Sequence, residues 1–228
     1  MTALFEILVC SGFPTQLMLA LVLRTLGLSA TGPTGQLSLG YVVALSLGDA
    51  VVLLGLIFYF LSLHGESPRD VFLGTRPPRR EINLGLLLTP LMVIAVIASL
   101  SAIHVLWPGL RNVPENPLGA LLQSPGQALV FLTVAVGAGG LREELQRAFV
   151  LRRFQQNLGA GWIGLVLFSV AFGLGHYIQG WDAVIVTTAL GAIWGVLYLR
   201  RRSIVSAVVS HSGFNIAEIL IVLSGAAI

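Results

Sequence analysis

Leu141-Arg142-Glu143-Glu144-Leu145-Gln146-Arg147 sets four charges within six residues, inside a region that otherwise reads as hydrocarbon-spanning helix. A charged side chain at bilayer depth costs at least ~2.5–3.5 kcal/mol on the mildest scale, so such residues are rare and usually functional. Adjacent glutamates cost more, because like charges resist joint ionisation. Arg147 follows Glu143 by four residues and Glu144 by three, on neighbouring ridges of one helix, so it can neutralise one of them. One carboxylate is then left for chemistry. The competing reading of this stretch alone is a structural ion-pair knot that ties helices together.

The rest of the chain supports the membrane setting. Of 228 residues, 56% are hydrophobic and only 10% charged, with a mean hydropathy of +0.90. Soluble domains carry about 25% charged residues, so a soluble fold is excluded and one compact bundle over residues 1–228 is expected. A single cysteine, Cys10, excludes an intrachain disulfide and a thiolate zinc site. All thirteen basic residues are arginine, and apart from Arg142 and Arg147, which lie within a span, they sit in separate loops beside apolar stretches. That pattern signals topology rather than nucleic acid.

Seven stretches have the ~17–25 apolar residues that a span needs: about Ala3–Leu26, Leu37–Leu63, Leu84–Trp107, Gln127–Leu151, Trp162–Ile178, Ala183–Leu199 and Ile204–Leu223. The first lacks a basic leading region and a cleavage signal, so it is expected as a retained span. Turn residues separate the first four: Thr31-Gly32-Pro33, then Pro68, Pro77 and Pro78, then Pro108 to Pro125. With seven spans, nine arginines fall on the N-terminal side (Arg69, Arg76, Arg79, Arg80, Arg152, Arg153, Arg200, Arg201 and Arg202) and two on the other (Arg24 and Arg111). The expected orientation is N-terminus cytoplasmic and C-terminus opposite. The fold class is therefore an all-α polytopic transmembrane bundle of about seven spans, with a polar intramembrane cavity and a motif-bearing core at about 125–223.

Few other groups in the spans are ones that lipid would reject. Asp49 lies midway along the second, where Arg142 or another buried donor is its expected partner. The fifth carries Phe172 and His176, four apart; the seventh carries His211 and Asn215, with the same spacing on one helical face, and then Glu218. His64 and His104 sit at span ends and read as interfacial. Each polar residue has a bland role: an intramembrane His or Asn most often bonds across helices, for under ~2 kcal/mol. Together they supply a general base, a second acid/base or ligand, and an oxyanion donor. Those are the roles that hydrolysis of an amide by an activated water requires. No Gly-x-Ser-x-Gly elbow, Ser/Lys dyad or His-Glu-x-x-His is evident, and Cys10 has no nearby His.

With these residues in order, the sequence resembles the CPBP family of CAAX proteases and bacteriocin-processing enzymes, also called Abi proteins. The motifs are Glu143-Glu144 with Arg147, Phe172 to His176, and His211 to Asn215, covering about Gly139 to Glu218. The resemblance implies an intramembrane endopeptidase acting on membrane-associated peptides or proteins, including lipidated ones, among membrane lipids and without nucleic acid. It implies that Glu143 activates water with His176, and that His211 and Asn215 stabilise the oxyanion. Glu144, Arg147 and Phe172 would be supporting residues. Family members are commonly labelled metalloproteases, so Glu143, His176 and His211 are also a candidate zinc set, since catalytic zinc takes three protein ligands and keeps an open position. Asn215 beside His211 argues for an oxyanion site instead, and both versions stand at this level.

One departure concerns the arginine. The family leaves three residues between the second Glu and the Arg, whereas Arg147 follows Glu144 after two and Ala148 holds the usual place. Arg147 is then expected to pair with Glu143 more readily than the family arrangement allows. Depth raises a second difficulty. At ~1.5 Å per residue, Glu143 lies about 15 Å from Arg153 and His211 about 13 Å from Arg202, but His176 about 22 Å from Gly161. Tilt, or a break near Gly173 and Gly175, is needed to bring His176 level. Two other functions use the same residues: a non-catalytic scaffold or sensor, and a proton-coupled transporter with the Glu and His groups as relay. The transporter lacks visible inverted repeats.

Overall fold

A computed structural model describes residues 2–33 and 35–225. Among them the regular structure is helical, with a single isolated bridge between Thr31 and Leu37. The helices are α1 (Thr2–Val9), α2 (Phe13–Thr25), α3 (Leu39–Leu63), α4 (Pro68–Phe72), α5 (Pro78–Leu106), α6 (Pro125–Val134), α7 (Glu143–Leu158), α8 (Gly161–Leu174), α9 (Trp181–Arg201) and α10 (Val205–Leu223). A π-helical segment, Ala135–Arg142, joins α6 to α7 without a break. Local chemistry sets the starts. Ser38, Ser67 and Ser124 accept from backbone N–H groups at the heads of α3, α4 and α6, and Pro68 and Pro125 occupy the first helical position, where no N–H is needed. Gly159, at φ 61°, closes α7.

Four helices are long and apolar enough to cross a membrane: α3, α5, α9 and α10. The expected first span is two helices, α1 and α2, bent by 45° at Cys10–Gly12, and qualifies as a fifth if read as one broken span. The other two expected spans differ from the rest. The fourth is the charged run α6–π–α7, and the fifth, α8, ends at Leu174 after fourteen residues instead of reaching Ile178. Apolar side chains face outward: only 11% of the most apolar window of α5 is buried, and Leu86, Leu87, Leu91 and Ile94 are all exposed. Water would not tolerate such a face over so many turns; lipid does. The molecule is an integral membrane protein.

Ion pairs and hydrogen bonds gather the arginine-bearing connections at one end. Arg153 bonds Glu6 and Glu66 (2.6 Å each), Arg152 bonds Glu66 (2.8 Å) and Arg201 bonds Glu81 (2.6 Å). Arg76 donates to the Arg201 carbonyl (3.0 Å) and Ile204 N–H to that of Phe72 (2.8 Å). His64 meets Glu6 at 2.6 Å. At the opposite end His104 meets Asp182 at 2.8 Å. Both histidines, expected as interfacial, thus join two helices at a bundle end.

Candidate active site

The charged stretch lies where the π segment becomes α7. A π turn is rare and widens the helix locally, frequently at functional sites. Here its glycines also admit α10. A Cβ on Gly139 would stand 2.7 Å from Asn215 Nδ2, and one on Gly140 would clash with Ser212. Any larger residue would push α10, and with it His211, away from the glutamates.

The two glutamates have different surroundings. The Glu144 side chain is 1% exposed; its Oε1 pairs with Arg147 and accepts from His211 Nδ1 at 2.8 Å. The Glu143 side chain is 21% exposed and has only long contacts, 3.9 Å to Arg142 Nη1 and 3.8 Å to His211 Nε2. Arg147 therefore pairs with Glu144, three residues back, and not with Glu143 as the shifted spacing led us to expect. The reason lies in the partners. His211 and Arg147 converge on the inward-facing Glu144, and Arg142 turns away to Asp49, the partner expected for it. Asp49 is fully buried and also accepts from Thr15 (2.5 Å). Gln146 extends the network, accepting from Arg142 (3.2 Å) and donating to the Cys10 carbonyl at the α1–α2 bend (2.9 Å).

His211 is held on three sides. Its Nδ1 faces a carboxylate that can only accept, so Nδ1 carries hydrogen and Nε2 presents a lone pair towards Glu143. The Trp194 indole stacks on its ring, with centroids 3.8 Å apart and an interplanar angle of 14°. Trp194 Nε1 is tied in turn to Ser210 Oγ at 3.0 Å. Phe172 approaches edge-on at 6.1 Å, and the Arg147 guanidinium lies over the rings of Phe172 (4.7 Å) and Trp194 (5.6 Å). These ring faces offset part of the cost of a buried cation.

His176 follows the end of α8, just past Gly175, at the break that its depth required. Its Nδ1 faces the Phe172 carbonyl at 2.9 Å, and Nε2 has no partner among the described residues. Its ring packs on the same Phe172 that touches His211, at 4.9 Å. No ion pair joins His176 to either glutamate among the described residues, so Glu143 is nearer to His211 than to its expected partner. Asn215 Nδ2 donates to the Ala135 carbonyl at 2.8 Å and pins α10 to the π segment; its second amide hydrogen has no partner among the described residues. Glu218 is half-buried, one further turn along α10.

A zinc ion would take the Glu143 carboxylate and the Nε2 atoms of His176 and His211. Among the described residues no group of three or more His, Cys, Asp or Glu side chains is gathered closely enough to hold one.

Sequence reasoning missed Trp194 and the π segment. Trp in spans is enriched at membrane interfaces, so one midway along α9 was a usable signal, as were Gly137, Gly139 and Gly140 ahead of a charge cluster.

Carboxylates and imidazoles from separate helices are thus brought together inside the bundle. Residues 124–217 match the family model described as Type II CAAX prenyl endopeptidase Rce1-like. Over that segment, which holds the three motifs, the chain is similar to the CAAX prenyl endopeptidases, a family of membrane proteases. No curated protein and no solved structure matches the chain. The matched segment includes all three motifs, whereas Asp49, which holds Arg142, comes from outside it.

Proposed function

We propose that the protein is a glutamate-dependent intramembrane endopeptidase, in which water bracketed by Glu143 and His211 Nε2 attacks the peptide carbonyl. The observation that carries this reading is that Glu143, among the described residues, keeps only long contacts to Arg142 and His211, beside an imidazole whose other nitrogen is fixed. A 3.8 Å gap between two acceptors is too long for a direct hydrogen bond and suits a bridging water. Glu143 accepts the water's proton as the C–O bond forms. Glu144 and Arg147 hold His211 in place, so that Nε2 can bind the same water and take up a proton in its turn. The Glu143 carboxyl then returns that proton to the leaving nitrogen as the C–N bond breaks. His176, whose Nδ1 hydrogen is engaged by the Phe172 carbonyl, presents its Nε2 lone pair as an acceptor on the far side of Phe172. The free Asn215 amide hydrogen is the candidate donor to the oxyanion. This differs from the roles implied by family resemblance, where His176 works beside Glu143.

The match to prenyl endopeptidases favours prenylated C-terminal peptides as the substrate class. The arginine-rich end supports the proposed orientation, N-terminus cytoplasmic, and the whole chain is proposed as one membrane domain.

The test is substrate trapping in native membranes with Glu143→Gln, followed by exposure of each retained peptide to the wild-type protein. The proposal expects retained peptides that the wild-type cuts at one bond, with equal activity before and after treatment with a strong chelator. Retained peptides that the wild-type leaves intact would point to a binding scaffold. Activity lost to the chelator and restored by Zn²⁺ would replace the metal-free version.

A further inference from the structure

At the arginine-rich end, two clefts lie on the surface with contrasting walls. One, of about 290 Å³, is lined by Glu6, His64, Glu66 and Arg153, whose charges answer one another. The other, of about 410 Å³, lies between the C-terminal turn of α7, the start of α8 and the last turn of α9. Gln155, Trp162, Val196, Leu199, Arg200 and Arg202 line it, and no acidic side chain does. Arg200 is exposed and makes no hydrogen bond or ion pair with another described residue; Arg202 donates only to the neutral Gln155 amide oxygen, at 2.5 Å. Two guanidinium groups thus stand at one cleft without a counter-charge, while Arg152, Arg153 and Arg201 nearby are all neutralised by glutamates.

The chemistry of the walls defines a ligand. Guanidinium forks match phosphate oxygens in geometry and charge. Val196 and Leu199 supply an apolar wall, and Trp162, 66% exposed, stands at the start of a lipid-facing helix, where tryptophans mark the interface. A free phosphate ion would use the arginines and leave the apolar wall bare. An amphiphile with an anionic head uses both. We propose that this cleft is a binding site for an anionic glycerophospholipid, its phosphate held by Arg200 and Arg202 and its glycerol and upper acyl chain against Val196, Leu199 and Trp162. The site is separate from the glutamate cluster: Gln155 follows Glu143 by twelve residues, or ~18 Å of helix.

The test is native mass spectrometry of the full chain with phosphatidylglycerol or phosphatidylcholine of identical acyl chains. The wild-type protein should retain the anionic lipid preferentially. Arg200→Gln combined with Arg202→Asn should lower that retention about tenfold; Asn is chosen because residue 202 sits at φ 56°, a conformation that Asn tolerates. Arg79→Gln with Arg80→Gln, which removes two exposed arginines outside the cleft, should leave it unchanged. Excess inorganic phosphate should not displace the lipid. Equal retention of both lipids, loss in the Arg79/Arg80 control as large as in the cleft variant, or displacement by phosphate would each overturn the proposal. If the double variant fails to fold, Arg200→Gln alone reads the same site with a smaller fall, and no fall there counts against it.

Discussion

Two charge clusters in this protein are built from the same parts. The first, inside the bundle, has Glu143, Glu144, Arg142, Arg147 and His211; the second, at the arginine-rich end, has Glu6, Glu66, Arg152, Arg153 and His64. In the second, every carboxylate is held at 2.6–2.8 Å by a guanidinium or an imidazole, and its evident work is to tie α1, α3 and α7 together. In the first, Asp49 draws Arg142 away and Arg147 and His211 converge on Glu144, so Glu143 keeps only contacts of 3.8 and 3.9 Å. Under the proposed function, the loosely held carboxylate beside an oriented imidazole serves to move protons, whereas the fully paired ones are fastenings.

The comparison breaks most sharply at Glu144. Glu144→Gln leaves the Arg147 guanidinium, 1% exposed, without a counter-charge, and should destabilise the fold by roughly 3–5 kcal/mol. Denaturation of the purified variant checks this, and unchanged stability would show that the aromatic rings alone can hold Arg147. A smaller effect is expected at Trp194. Trp194→Phe keeps an aromatic face against His211 but loses the bond to Ser210, which should cost about 1–2 kcal/mol of stability. Its peptidase rate should fall far less than that of Glu143→Gln, when both are assayed on one trapped peptide.

The smallest effect is expected at Glu66, in the loop before α4. Burial, the largest single influence on its carboxyl, pushes the pKa up. The hydrogen bonds and charges of Arg153 and Arg152 together outweigh it and hold the value below the ordinary carboxylate range. A folded-state pKa below the unfolded one stabilises at pH above the unfolded value, and that stability disappears as pH falls through the folded value. The melting temperature of the wild-type protein should therefore decline on acidification through the carboxylate range. In Glu66→Gln the decline should be shallower.

Much of the site was legible in the sequence because hydrocarbon leaves buried charge so few options. Asp49 and Arg142 were expected as partners, and the three motifs do meet around Phe172. Which glutamate Arg147 neutralises was not legible: spacings of three and four residues both permit pairing, and the choice is made by His211, a long-range contact. The bend at Cys10–Gly12 and the end of α8 at Leu174 escaped hydropathy because both interrupt apolar runs without adding charge. The depth mismatch of His176 nonetheless pointed to a break where α8 ends. Trp194 offered a local signal in its place inside an apolar stretch, but its partners, His211 and Ser210 of α10, are long-range contacts that the stretch itself does not encode.

The most direct test places one substitution in both clusters and compares the rate of peptide cleavage. Glu143→Gln should lower the rate by ~10²–10⁴-fold while the melting temperature stays close to that of the wild-type protein; Glu66→Gln should leave the rate nearly unchanged. A Glu143→Gln protein that folds and still cleaves at the wild-type rate would contradict the assignment of Glu143 as the working base.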